Sequence, residues 1–277
     1  MATPTTGLVI MPACNEAASL PSFLEHFRAC NHDNQAWDLL LVDDGSNDDT
    51  AALAESLGCV VICNEGNKGI GYSIRRGCTY AVEHGYEVIA TLDVDGQHDP
   101  RYLRQATNML QMYDLVIGSR YHVDSEQRGT PLDRALLNIS VSAQVSALTG
   151  LAIADPLSGF WVMRRRIAVF LAEHIRQERY GVRLEGILKL HFLLRETGLA
   201  PTIGEFAHPA IYANGGACHL NRTYSPAHQE ERLERFGVHA HHILEIMHEL
   251  QATLGVGFWE QGVTHWKTRR ALMYRPL

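Results

Sequence analysis

The sequence predicts an α/β fold: a mostly parallel sheet flanked by helices, followed by a helical extension at the C-terminal end. Three observations carry that expectation. Short unbroken apolar runs recur through residues 7–119, helical patterns separate them, and charged or turn-forming residues follow each run. Strands covered on both faces read as continuous apolar runs, and parallel neighbours need a long crossover, usually a helix.

The first run is GLVIMPA at 7–13, bounded by Gly and Pro and followed by a helical pattern over Ala18–Cys30. DLLLVDD (38–44) is the second, with a helix over Thr50–Leu57 behind it. CVVIC (59–63) and EVIATLDVD (87–95) are the third and fourth, followed by helices over Gly71–His84 and Pro100–Met112. DLVIGS (114–119) is the fifth. Arg128–Pro131 then reads as a loop, Leu132–Leu148 as a helix of small and apolar residues, and DPLSGFWVMRR (155–165) as a turn entering a short strand. Ile167–Arg176 and Leu184–Thr197 read as helices, Thr202–Phe206 and Pro209–Tyr212 as extended segments, 213–229 as a polar loop and Glu230–Leu254 as a helix. The expected organisation is one α/β domain over 1–225 with a helical extension over 226–277 packed on it.

The 277 residues are 46% hydrophobic and 20% charged, an ordinary globular balance with enough apolar material for a core. Twenty-four basic against 31 acidic side chains give a net charge of -7. A nucleic-acid binder usually carries a basic surplus, so no nucleic-acid partner is expected. The six cysteines form no CxxC pair and read as free thiols in a reducing compartment. MATPTTGLVIMPACNEAASL has no basic leader region, and no run of about 18 apolar residues occurs. The expectation is a soluble, cytoplasmic protein. A peripheral membrane contact through the aliphatic 132–148 helix and a homo-oligomer are both compatible with the sequence.

Parallel α/β sheets bind ligands at the carboxyl ends of their strands. The polar motifs collect there: NE after the first strand, DDGSND after the second, DVDGQH after the fourth and SR after the fifth. Asp93 and Asp95 stand two apart at the expected end of the fourth strand, where alternation points both side chains the same way. Converging carboxylates repel unless a cation joins them, and Mg²⁺ or Mn²⁺ favours such oxygen ligands together with substrate phosphates. Gln97 adds a carbonyl ligand or a hydrogen bond, and Gly96 allows close backbone approach. Asp99 reads as the cap of the helix opening at Pro100. Asp43 or Asp44 is expected to accept hydrogen bonds from a base or ribose, with Ser46 and Asp48 as helix caps. Glu16 is either a ribose ligand or a first-turn glutamate, and Lys68 either faces phosphate or lies exposed. His241, Glu245 and His248 share a helical face and read as a solvated or packed helix rather than a zinc site.

PACNE, VDDGSNDDT, GNKGIGYSIRRG, TLDVDGQHDP, VIGSRY and DPLSGF occur in the order seen in inverting family 2 glycosyltransferases of the GT-A fold, whose sheet is Rossmann-like. Over residues 7–212 the chain resembles the polyprenyl-phosphate (dolichyl-phosphate) mannosyl- and glucosyltransferase branch. The resemblance implies Asp95 and Gln97 as metal ligands, with Asp93 beside the donor and the metal. It implies Pro12, Glu16 and Asp44 at the nucleotide; Ala13, Asp43, Lys68 and Val94 complete the candidate donor-binding set. It implies Arg120 and Arg134 at an acceptor phosphate and Asp155 near the reaction centre. Glu185 matches a glutamate common in the branch. Cys14 departs from the family, which usually has an aromatic residue there, and 213–229 keeps the glycines of a family loop without its basic pattern.

The expected activity is inverting transfer of a sugar from a GDP- or UDP-sugar to a polyprenyl phosphate or a soluble acceptor. The metal neutralises the leaving diphosphate. A phosphate acceptor is already ionised and is positioned by Arg120 and Arg134; a hydroxyl acceptor would take Asp155 as its base. The alternative is a sugar-phosphate nucleotidyltransferase. Such enzymes commonly place a glycine-rich basic loop directly after the first strand, where this chain has PACNE. A non-catalytic binding module would have little reason to keep the carboxylate cluster.

Overall fold

The computed structural model describes residues 7–31, 37–128, 130, 132–179, 181–211 and 229–254. Its main sheet is built from β1 (Gly7–Ala13), β2 (Trp37–Asp43), β3 (Val60–Cys63), β4 (Val88–Thr91), β5 (Leu115–Ser119), β7 (Trp161–Arg164) and β8 (Ile203–Ala207), in the order β3-β2-β1-β4-β7-β5-β8. Every pairing is parallel except that β7 runs antiparallel between β4 and β5. β6 (Gln127–Arg128) and β9 (Ala210–Ile211) form a separate two-stranded parallel bridge. The helices are α1 (Leu20–Cys30), α2 (Thr50–Ser56), α3 (Ile70–Glu83), α4 (Leu103–Met109), α5 (Leu132–Thr149), α6 (Arg165–His174), α7 (Val182–Glu196) and α8 (Gln229–Leu254).

β1 is buried along its whole length, which is why its sequence is apolar without alternation. Leu8 and Ile10 enter one core with α3, α5, α6, α7 and α8; Val9 and Met11 enter a second core with α1 and α4. α1 presents Leu20, Phe23, Leu24 and Phe27 at helical spacing to that second core. α8 contributes Ile243, Ile246, Met247 and Leu250 to the first. The C-terminal helix therefore shares the core of the sheet, each such side chain contributing roughly 1.5–3 kcal/mol by burial. The expected boundary at 225/226 and most of the expected 213–229 loop lie outside the described residues.

Three expectations are corrected. The fourth strand ends at Thr91, not Asp95, because its pairing with β7 stops at the Thr91–Trp161 register and the chain turns after the Leu92 N–H reaches the Ile10 carbonyl at 3.1 Å. The helix expected from Pro100 opens as a 3₁₀ turn over Pro100–Tyr102, capped by Asp99, which accepts the Arg101 N–H at 3.0 Å; the α-helix spans only Leu103–Met109. The segment expected to loop from Arg128 begins inside the β6–β9 bridge. Among the described residues, no helix is long and apolar enough to cross a membrane.

Candidate donor and acceptor site

The carboxyl ends of β1, β2 and β4 and the N-terminus of α3 surround a cavity of about 260 Å³. Pro12, Ala13, Glu16, Asp44, Asp93 and Val94, expected at the donor, and Asp95, expected at the metal, line it, together with Cys14, Asn67, Gly69, Ile70, Ser73 and Arg179. β1 and β2 end in register, Ala13 opposite Asp43, so the loops leaving them open side by side.

Asp44 shapes the nucleotide side. Its carboxylate accepts the N–H groups of Lys68 (2.9 Å) and Gly69 (2.8 Å) and the Asn64 amide (2.8 Å). A carboxylate has about four acceptor positions, so roughly one is left for a ligand. Gly69 has φ +99°, and a Cβ there would strike the Glu178 carbonyl and the Arg179 side chain, so glycine lets the loop pass under Arg179. Asp43 turns away from the cavity to accept from the Ser46 N–H and hydroxyl. Lys68 reaches Asp44 through its backbone while its side chain is exposed. Neither residue lines the cavity: of the Asp43/Asp44 pair it is Asp44 that does, and Lys68 takes the exposed position that the sequence left open for it.

Asp93 and Asp95 converge on the cavity from a turn rather than from a strand end. Asp93 Oδ1 is buried with no hydrogen-bond partner among the described residues. Burial raises the Asp93 pKa, opposed by Arg183, then Arg120, then Arg134. Asp95 Oδ1 accepts the Gln97 N–H at 2.9 Å, which places Gln97 beside the pair though outside the cavity lining. An orphaned carboxylate oxygen beside a second carboxylate fits a hard divalent cation.

Two histidines brace this turn. His98 Nδ1 accepts the Asp93 N–H at 2.8 Å, and His208 Nε2 accepts the Asp99 N–H at 3.1 Å. Both rings are buried, and burial pushes each pKa down to about 3, so both are neutral. The 3.7 Å approach of Asp93 Oδ2 to His98 Nδ1 is therefore not an ion pair. Gly159 of the DPLSGF motif leaves the room: a Cβ there would lie 2.6 Å from the His98 ring and 3.0 Å from Asp93 Oδ2.

Arg120 and Asp155 meet, but each occupies the other. Asp155 is 0% exposed and takes the Arg120 Nε at 2.7 Å, Nη2 at 2.9 Å and backbone N–H at 3.0 Å. Glu205 holds the turn by accepting the Ala154 and Asp155 N–H groups. Asp155, the base expected for a hydroxyl acceptor, is thus a fully buried carboxylate chelated by a guanidinium. Arg134, half-buried on α5, acts on Asp93 through its charge.

The family model for "Glycosyl transferase family 2" matches residues 8–170, more than half the chain and all of the donor cavity except Arg179. The chain belongs to glycosyl transferase family 2. This glycosyltransferase is 27% identical over 199 residues to a UDP-N-acetylglucosamine--dolichyl-phosphate N-acetylglucosaminyltransferase of Methanococcus voltae, covering 65% of this chain and 78% of that protein. It is 31% identical over 167 residues to the polyprenol monophosphomannose synthase of Mycolicibacterium smegmatis, covering 58% and 62%. Glucosyl-3-phosphoglycerate synthase of Mycobacterium tuberculosis, solved with Mn²⁺, uridine diphosphate and glucosyl-3-phosphoglycerate, superposes with TM-score 0.58 at 21% identity over 79% of this chain and 74% of that one. That likeness shows the GT-A fold. The family match sets aside the nucleotidyltransferase alternative.

The sequence did not single out Arg179, which lines the cavity, Arg183, whose charge acts on Asp93, or His208 and Glu205, which hold the neighbouring turns. His98 lies inside TLDVDGQHDP, but its role as an acceptor for the Asp93 N–H depends on burial. The polar residues ending β8 were the available signal for Glu205 and His208, since β8 finishes beside β5 at the same sheet edge.

Proposed function

We propose that this glycosyltransferase moves a sugar, with inversion, from a GDP- or UDP-sugar to a polyprenyl phosphate, with Asp93, Asp95 and Gln97 holding Mg²⁺ or Mn²⁺. The observation that carries the reading is the cavity in which Glu16, Asp44, Asp93 and Asp95 face one space beside α3. Relatives at 27–31% identity named as a dolichyl-phosphate N-acetylglucosaminyltransferase and a polyprenol monophosphomannose synthase support the acceptor class.

Glu16 and Asp44 supply acceptors for ribose hydroxyls or base N–H groups, and Pro12 and Ala13 form the apolar wall beside them. Cys14 gives that wall a thiol in place of a stacking ring. A bound divalent cation supplies charge neutralisation for the departing diphosphate, worth several kcal/mol. The Asp93 N–H, donated to His98 Nδ1, and the Gln97 N–H, donated to Asp95 Oδ1, hold the two carboxylates for it. Asp155 keeps the Arg120 fork in one orientation beside Asp93. Because Asp155 is engaged, an acceptor that needs no base fits better than a hydroxyl. An ionised phosphate oxygen forms the new bond to the anomeric carbon as the bond to the diphosphate oxygen breaks on the opposite face. Leu136 and Ile139 are exposed on α5 beside Arg134, an apolar surface suited to a peripheral membrane contact near a lipid phosphate.

The test is sugar transfer from labelled UDP- and GDP-sugars to a polyprenyl phosphate with Mn²⁺. Wild type should form a lipid-linked sugar, and Asp95→Ala should lose on the order of 100-fold or more in rate. Asp95→Ala transferring at the wild-type rate would contradict the metal role. Pyrophosphate release from a nucleoside triphosphate and a sugar phosphate would contradict the reaction class.

A further inference from the structure

His26 and Cys30 on α1 and Asp99 at the cap of the 3₁₀ turn form a cluster outside the donor cavity. Four residues apart on one helix, His26 and Cys30 share a face. Asp99 comes to that face from the loop after β4. His26 Nε2 lies 3.0 Å from Asp99 Oδ1, and Cys30 Sγ lies 3.8 Å from the same nitrogen. One ligand atom from each residue stands within 4.8 Å of the others, so a single ion can touch all three.

The spacing has the dimensions of a metal shell. Zinc takes an imidazole nitrogen at about 2.0–2.1 Å, a thiolate at about 2.3 Å and a carboxylate at about 2.0–2.2 Å, arranged tetrahedrally. Those lengths place the nitrogen about 3.4 Å from the oxygen and about 3.6 Å from the sulfur, close to the observed 3.0 and 3.8 Å. Arg101 fixes the carboxylate: its Nε donates to Asp99 Oδ2 at 2.8 Å and its backbone N–H to Oδ1 at 3.0 Å. Partners of this kind orient a metal-binding carboxylate. His26 is exposed, while Cys30 and Asp99 are half-buried, so an ion can enter from solvent. His26 and Asp99 also line a cavity of about 170 Å³, shared with Asp95, which leaves room for a water at the fourth position. A set of one nitrogen, one sulfur and one oxygen suits borderline-soft Zn²⁺, not the hard Mg²⁺ or Mn²⁺ that Asp93 and Asp95 fit.

We propose that His26 Nε2, Cys30 Sγ and Asp99 Oδ1 bind Zn²⁺, clamping α1 to the turn that follows the donor-site loop. Binding exchanges the S–H bond of Cys30 for a sulfur–zinc bond and releases the proton to solvent. The competing role is a plain hydrogen bond between His26 and Asp99, which does not involve Cys30.

The experiment titrates the metal-free full chain with Co²⁺ and Zn²⁺ in wild type, Cys30→Ala, His26→Ala and Asp95→Ala. Co²⁺ is the optical probe, because a thiolate ligand gives it a sulfur-to-metal charge-transfer band. Wild type should show that band, Zn²⁺ should displace it, and Zn²⁺ should raise Tm. Cys30→Ala should abolish the band, weaken Zn²⁺ binding about 100-fold or more and remove the rise in Tm, since losing even an outer-shell partner costs about 10–100-fold. His26→Ala should weaken Zn²⁺ to a similar extent. Asp95→Ala should keep both the band and the rise in Tm. Because Cys30→Ala leaves the His26–Asp99 contact in place, it separates metal binding from the plain hydrogen bond. A wild type without the band, a band that persists in Cys30→Ala, or Zn²⁺ binding equally strong in wild type and Cys30→Ala overturns the proposal. None of these outcomes bears on sugar transfer, which is tested by its own assay.

Discussion

His208 keeps its contact with the Asp99 N–H only as a neutral ring, because Nε2 is the acceptor. Burial, with His98 and Arg120 adding repulsion, holds its pKa at about 3 in the folded protein, against an ordinary value near 6.5. The folded pKa is the lower one, so between about pH 6.5 and 3 the unfolded chain takes up a proton that the folded chain refuses. Stability should therefore fall as pH drops through that window, by up to about 1.4 kcal/mol per pH unit per such group. His98 acts in the same direction. Melting temperature measured from pH 7.5 to 5 should decline in wild type, and His208→Gln, whose amide oxygen still accepts, should show a shallower decline. An identical slope in the variant would contradict the buried neutral role. At this scale the sequence was informative wherever a residue's task is local. That Asp93 and Asp95 open onto one cavity was legible from their spacing. Asp155 was not, because its meaning depends on Arg120, 35 residues away, meeting it inside the core.

The buried end of α7 shows how one element sets the shape of another. Glu185 accepts the N–H groups of Arg176 and Gln177 and pairs with Lys189 at 2.7 Å, both side chains being nearly inaccessible. Lys189 also reaches the half-exposed Glu249 of α8 at 2.7 Å. The segment so held carries the Glu178 carbonyl, which accepts the Gly71 N–H at 2.7 Å at the start of α3, and Arg179 at the donor cavity. Glu185→Gln should destabilise by about 1.5–3 kcal/mol, since it removes the charge of a buried pair while Lys189 keeps Glu249 and the His174 carbonyl, and should weaken donor binding through the displaced 176–179 segment. Glu249→Gln, at a half-exposed partner, should cost about 0–1 kcal/mol. Denaturant unfolding of both variants checks this, and equal losses would contradict it. The early strands were readable because burial on both faces writes an unbroken apolar run. The orientation of β7 was not readable, since four residues, WVMR, carry no mark of which way they pair. The same four-residue brevity of β4 hid its early end at Thr91.

Across the whole molecule, the sheet order brings loops distant in sequence to one edge. β1 sits between β2 and β4, so the PACNE, DDGSND and DVDGQH segments open onto the same space. Inserting β7 between β4 and β5 places Asp155 and Gly159, which precede it, beside the Asp93 turn. Collection of polar motifs at strand ends was legible from the sequence; which carboxylates face the cavity was not, because Asp43 and Asp44 differ only in how the loop after β2 turns. Central to the account is that this edge binds a nucleotide and a divalent cation together. Calorimetric titration of UDP and GDP, with Mn²⁺ and with chelator, tests that linkage most directly. The account predicts that one nucleotide binds about tenfold or more tightly with Mn²⁺ and that Asp95→Ala erases the difference; the same Kd with metal and with chelator for both nucleotides would contradict it.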